Sequence, residues 1–194
     1  NFKNKIKPNT SENIIEDNNI KNIHKYISGI KPSSKNDYTG MFEGKNLIFI
    51  TAESLDFGII DKDLTPTLYK LNKDGMTFRN FYNPIYYAST SDGEYANITG
   101  LLPKEGTWSF IKSLDNVYPY SYPNAFKGYN SYYYHNGVYD FYNRNTVSKN
   151  FGFKNFSACG DGLDDKINCD LWPQSDIEMF SETFDDYKDS NRFM

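Results

Sequence analysis

The sequence predicts an α/β fold with a largely parallel sheet, and three observations carry that prediction. The run Leu47-Ile48-Phe49-Ile50 is apolar without alternation, as a strand buried on both faces requires. Segments of strand character then alternate with segments that carry helix start and stop signals, the order that builds parallel strand–helix–strand units. The chain has 194 residues, enough for one domain or part of a larger one, and its 18% aromatic content supplies a core despite a mean hydropathy of −0.71. Those apolar runs exclude simple disorder.

In chain order, residues 1–44 read as a connector. Only 14–27 shows helical periodicity there, and Lys31-Pro32-Ser33-Ser34-Lys35-Asn36-Asp37 has the composition of an exposed linker. The domain is expected over 45–194, opening with a strand at 47–52. A helix follows, with Thr65 as N-cap, Pro66 at its first position, Leu68 and Leu71 on one face and Gly75 at its stop. Residues 76–82 roughly alternate and predict a second strand. Ser91 and Glu94 have capping-box spacing and predict a helix that stops by Gly100. A short helix at 124–127 leads through Gly128 into the strand Ser131-Tyr132-Tyr133-Tyr134-His135, and a helix is expected over 144–150. Ser175 and Glu178 repeat the capping-box spacing ahead of Ile177, Phe180, Phe184 and Tyr187 at helical intervals.

Composition narrows the function. Residues 1–45 hold eight lysines against five acids, 46–157 balance ten against ten, and 158–194 hold ten acids against three bases. No clustered basic face exists for duplex binding, so nucleic acid is excluded as a partner. The basic first segment suits anionic lipid headgroups or an anionic wall polymer, or is a solvated linker. No stretch approaches the ~20 apolar residues that cross a bilayer, so the piece as given is expected to be soluble. Cys159 and Cys169 lack zinc-site spacing and either form one bond closing a short loop or stay free.

Three polar residues fall where loops converge beyond the carboxyl ends of strands: Glu53 after the first strand, Thr90 at the entrance of the Ser91 helix, and His135 at the end of the tyrosine-rich strand. A carboxylate, a hydroxyl and an imidazole at one sheet edge can hold a divalent metal and a phosphorylated ligand. A hydroxyl at a helix N-terminus sits in a field that favours its alkoxide and an incoming phosphate, and a metal lowers its pKa further. Taken singly, each has a plainer reading: an N-cap for Thr90, a solvated carboxylate for Glu53, a hydrogen-bonded core histidine for His135.

Their joint context is more specific. Ala52-Glu53-Ser54-Leu55, Thr65-Pro66-Thr67-Leu68, Phe78-Arg79-Asn80-Phe81-Tyr82, Thr90-Ser91-Asp92-Gly93-Glu94-Tyr95, His135-Asn136-Gly137, Phe141-Tyr142-Asn143-Arg144-Asn145 and Trp172-Pro173-Gln174-Ser175-Asp176 occur in that order. The set resembles the lipoteichoic acid synthase family of the alkaline phosphatase-like, sulfatase superfamily. The resemblance implies an alkaline phosphatase-like sandwich and transfer of phosphoglycerol from phosphatidylglycerol to a glycerol-phosphate polymer. It places the reaction at the extracellular face of the bacterial cytoplasmic membrane, with anchoring segments outside this chain. It makes Thr90 the nucleophile and a ligand of Mn2+ (or Mg2+), Glu53 a second metal ligand, and His135, Tyr142 and Arg144 the residues around the phosphoglycerol. A guanidinium suits that role because it grips phosphate through two parallel hydrogen bonds.

Gly137 stands where many relatives have Asp, and Tyr142 where they have Trp, which bears on glycerol contact and substrate choice. The family's remaining metal ligands, an Asp-His pair, and a further substrate-binding His have no counterpart here, so an incomplete domain, inactive by itself, is expected. The alternatives are a non-catalytic module that binds glycerol-phosphate polymer, and a phosphoethanolamine transferase or phosphodiesterase. Neither Cys159-Gly160-Asp161 nor Cys169-Asp170-Leu171 fits the C-x-P-x-R segment of sulfatases proper, so sulfate-ester hydrolysis through formylglycine is not expected.

Overall fold

The computed structural model describes residues 18–83 and 87–194, and its contacts divide the chain into two compact units, 1–43 and 44–194. In the first unit, α1 (Asn18–Gly29) buries none of its residues. It is followed by a turn in which the Asn36 side chain accepts from the Tyr38 N–H at 3.0 Å. Of the periodic segment 14–27, residues 14–17 lie outside the described residues.

In the second unit the helices are α2 (Pro66–Asp74), α3 (Ser89–Thr99), α4 (Ser109–Lys112), α5 (Tyr122–Ala125), α6 (Arg144–Phe151) and α7 (Asp176–Thr183). Among the described residues the sheet has two parallel strands, β1 (Tyr132–Val138) and β2 (Asn155–Cys159), joined through α6. Register runs from Tyr132 opposite Asn155 to His135 opposite Ala158, then shifts so that Val138 faces Cys159. This is the α/β arrangement with a parallel sheet that the element order predicts.

The core lies between α3, α4 and α6 and one face of β1. Ile98, Phe110, Val147, Phe151, Phe153 and Met194 are buried together, with Tyr95, Tyr118, Tyr122 and Tyr133 packed against them. Gly152 ends α6 with φ 101°, and a Cβ there would lie 2.5 Å from the Asn124 side chain, so only glycine fits that turn. A second cluster of Cys159, Leu163 and Ile167 forms behind β2, where Cys159 and Cys169 are joined by a disulfide. The sequence left those cysteines open between bonded and free; the structure bonds them. No helix among the described residues is long and apolar enough to cross a membrane.

Several expectations need correction. Residues 47–52 form no strand and join no ladder, and Ile48 and Ile50 are 62% and 61% exposed rather than buried. The reason is positional: the segment 192–194 lies between Leu47 and the start of β1. The Leu47 N–H donates to the Phe193 carbonyl at 3.2 Å, while the Met194 carbonyl accepts from Tyr132 at 2.8 Å. The opening segment thus meets a three-residue neighbour and gains one backbone bond. Residues 76–82 form no strand either, and Phe78, Phe81 and Tyr82 are exposed. β2 escapes sequence reading because only Ala158 and Cys159 of its five residues are buried, leaving neither an apolar run nor alternation.

The two capping boxes differ. Ser175 caps α7, accepting from the Glu178 N–H at 3.2 Å, but the Glu178 carboxylate accepts from the Asn168 N–H instead of reaching back. The box expected of Ser91 and Glu94 does not form: both lie inside α3, buried, and serve contacts between elements.

Candidate active site

α3 begins where a buried carboxylate anchors the incoming chain. Asp92, 0% exposed, accepts from the N–H groups of Tyr87 at 2.8 Å and Ala88 at 3.2 Å, and its other oxygen accepts from the Ser109 hydroxyl at 2.7 Å. An acid in the first turn is stabilised by the helix dipole, and this one satisfies two donors just before the helix. Ser91 adds a second tie, its hydroxyl accepting from the Phe110 N–H at 3.0 Å. The start of α3 is therefore fixed to α4.

Thr90 is the second residue of that helix and is half-buried. Its hydroxyl donates to Glu53 Oε1 at 2.5 Å, bringing together two groups 37 residues apart in sequence. Glu53 is exposed and is followed by Ser54 in the left-handed backbone region, φ 56°. At this helix start stands a half-buried hydroxyl whose proton is directed onto an exposed carboxylate. Glu53 and Thr90 offer two hard oxygen donors of the kind Mn2+ and Mg2+ take. Among the described residues no three His, Cys, Asp or Glu side chains converge, so these two groups fit part of a coordination shell.

One turn beyond Thr90, Glu94 is 8% exposed and pairs with Arg144, which is 2% exposed. Arg144 Nε donates to Glu94 Oε2 at 3.2 Å, Nη2 donates to Oε1, and Nη1 donates to the Phe141 carbonyl at 3.0 Å. The Tyr133 hydroxyl also donates to Glu94. Burial alone would lower the Arg144 pKa, but the Glu94 carboxylate outweighs it and holds the guanidinium above its ordinary value. Burial, then the Glu94 charge, pushes the Tyr133 hydroxyl well above its usual range. The two-pronged grip that the sequence reading offers to phosphate is engaged by Glu94. The guanidinium carbon also lies 5.3 to 5.7 Å from the ring centres of Tyr142, Phe110 and Phe141.

Tyr142 and Asn143 are consecutive residues at φ 57° and φ 58°, just ahead of α6. Left-handed non-glycine backbone costs about 1 kcal/mol or more and gathers at working sites. The three such residues among those described all adjoin the motifs singled out in the sequence. The Tyr142 ring packs edge-on against Trp108 at 5.4 Å and leans on Phe141 at 4.4 Å. His135 sits on β1; burial, then the charge of Arg144, lowers it to about 4, so it is neutral near pH 7. A Cβ on Gly137 would lie 2.8 Å from His135 Nε2, so the imidazole occupies the space that a larger residue at 137 would need.

The geometry thus unites Thr90 with Glu53, and Tyr142 with Arg144. Among the described residues no hydrogen bond joins His135 to Thr90 or Glu53. Asp92, Ser109 and Glu94 are the positioning residues that sequence reasoning missed. For Asp92 a signal existed, an acid in the first turn of the predicted helix; for the Glu94–Arg144 pair, 50 residues apart, none did.

The family model described as Sulfatase matches residues 45–193. The chain is similar to lipoteichoic acid synthase 2 of Bacillus subtilis strain 168, 31% identical over 160 residues, which is 78% of this chain and 24% of that protein. It is also similar to lipoteichoic acid synthase of Staphylococcus saprophyticus, 30% identical over 196 residues, 93% of this chain and 29% of that one. Among solved structures it matches the lipoteichoic acid synthase LtaP from Listeria monocytogenes with a TM-score of 0.70 and 27% identity, covering 89% of this chain and 44% of that one. The fold is accordingly alkaline phosphatase-like. The chain spans about a quarter of the length of the curated relatives named here.

Proposed function

The chain belongs to the sulfatase family, among its lipoteichoic acid synthase-like proteins, and from that premise we propose that it carries the nucleophile part of a site that transfers phosphoglycerol from phosphatidylglycerol to a cell-surface polymer. The observation that carries the reading is the Thr90–Glu53 hydrogen bond at the start of α3.

In this reading Thr90 Oγ1 attacks the phosphorus of the lipid. Its proton moves to Glu53, the new Thr–O–P bond forms, and the bond to the diacylglycerol oxygen breaks, that oxygen taking the proton from Glu53 as the alcohol leaves. The terminal hydroxyl of the acceptor then attacks the same phosphorus, its proton passing through Glu53 to the Thr90 oxygen as the Thr–O–P bond breaks. Helix N–H groups at α3 favour the phosphoryl oxygens throughout. Glu53 and Thr90 would hold a Mn2+ or Mg2+, whose chemistry is to lower the pKa of the hydroxyl and neutralise charge on phosphate. A neutral His135 suits a hydrogen bond to a glycerol hydroxyl, and Tyr142 with Trp108 suits an apolar wall. Arg144 acts as a positioning residue, holding α3 through Glu94. The Cys159–Cys169 disulfide is in keeping with an oxidising extracellular setting.

Replacing Thr90 by Ala in the full-length protein should lower manganese-dependent turnover of a phosphatidylglycerol analogue by at least about a thousandfold; unchanged turnover would overturn the mechanism. Product analysis in the same assay separates phosphoglycerol transfer from phosphoethanolamine transfer and from diester hydrolysis. The two-donor metal set motivates a second reading, a module that binds glycerol-phosphate polymer without turning it over. Titration calorimetry of this chain with a glycerol-phosphate oligomer tests it, and equal heats for wild type and Tyr142→Ala would remove it.

A further inference from the structure

The first unit presents a feature that the transferase reading does not use. Ile20, Ile23, Tyr26, Ile27 and Ile30 recur at three- and four-residue steps along α1 and just past its end, and each is at least half exposed. Four large apolar side chains on one face of a helix with no buried residue, continued by Ile30 just past its end, form an uncovered stripe. Lys21 and Lys25 stand on the side of α1 away from that stripe, Lys31 and Lys35 follow the helix, and residues 18–36, between Asp17 and Asp37, hold no Asp or Glu. Apolar stripe, lysines and an amphipathic tyrosine together are the attributes of a helix lying in a bilayer interface. The described 12 residues of α1 are about 18 Å long, shorter than the hydrocarbon thickness, a length suited to lying along a membrane surface.

We infer that α1 is an interfacial helix that rests its isoleucine face on an anionic lipid surface. Charge complementarity selects that occupant over a neutral apolar groove: the lysines gain from an anionic leaflet and gain nothing from an uncharged protein surface. Each lysine near such a surface strengthens binding about fivefold, and the isoleucines supply the part that salt does not screen. The inference stands apart from the chemistry at Thr90 and survives if that chemistry fails.

Vesicle flotation of the 194-residue chain tests it. Three compositions are needed: phosphatidylcholine alone, and phosphatidylcholine with about 30% of either phosphatidylserine or phosphatidylglycerol. The expected result is equal binding to both anionic vesicles, at least tenfold above neutral ones and weakening as salt rises. Ile23→Asp/Ile27→Asp and Lys25→Glu/Lys31→Glu should each lower it at least tenfold while thermal melting of the chain is unchanged, since α1 buries nothing. Binding to phosphatidylglycerol alone would assign the effect to headgroup capture elsewhere and overturn the inference. Equal binding to neutral vesicles, insensitivity to both variants, or a dimer in sedimentation that Ile23→Asp/Ile27→Asp dissolves would overturn it too.

Discussion

Replacing Arg144 by Ala should destabilise the second unit severely. The substitution leaves the Glu94 carboxylate, 8% exposed, with the Tyr133 hydroxyl on Oε2 as its remaining named partner, and removes the arginine donors to Oε1, Oε2 and the Phe141 carbonyl. Stranding one member of a buried ion pair costs about 3–5 kcal/mol. At about 2–4 °C per kcal/mol for a domain of this size, the melting temperature should fall by about 10 °C. Thermal and urea unfolding followed by circular dichroism would measure the loss. Glu94→Gln/Arg144→Met, which strands no charge, should be less destabilised than the single Arg144→Ala, and the full cycle of single and double variants should show coupling of at least about 2 kcal/mol. A loss below about 1 kcal/mol for Arg144→Ala, or strictly additive effects, would refute the claim that this pair fixes α3 and, through it, Thr90.

Reducing the Cys159–Cys169 bond, which closes a loop with a sequence separation of 10, should cost about 2.7 kcal/mol, read as a lower melting temperature in dithiothreitol. His135 should titrate near 4 in a proton NMR series, below its ordinary 6.5. Because its folded value is the lower one, the unfolded chain binds the extra proton first, so stability is full above about pH 6.5 and declines as pH falls toward 4. A midpoint near 6.5 would contradict the burial argument. Asp92→Ala should cost about 2–3 kcal/mol in urea melts, since it frees the N–H groups of Tyr87 and Ala88 and the Ser109 hydroxyl, and Asp92→Asn should cost less. Gly137→Ala should displace the His135 imidazole, visible as a changed chemical shift for that ring alone.

Helices with punctuation at both ends were legible in the sequence. Pro66 and Gly75 bound α2, Gly100 follows α3, and Ser175 caps α7, because local backbone chemistry decides those ends. The tyrosine-rich strand also emerged where expected, since consecutive β-favouring side chains leave little alternative. The opening segment 47–52 was not legible as the exposed, unladdered stretch it is, because pairing depends on residues 192–194, far along the chain. At the site, residue types and their order pointed to Thr90 and Glu53, and the structure sets them in hydrogen-bond contact. The roles of Glu94 and Arg144 depend on a contact between α3 and α6 that no local pattern encodes, which is why a capping-box reading and a phosphate reading were both available for residues that bind each other.

The most direct test of the central claim is to trap the covalent species. The full-length protein would be mixed with phosphatidylglycerol and Mn2+ without acceptor, quenched, and its peptides sequenced by mass spectrometry. Phosphoglycerol attached to the peptide containing Thr90, and absent from the Thr90→Ala variant, is the predicted result. An adduct on another residue, or turnover in Thr90→Ala with no adduct at all, would contradict it.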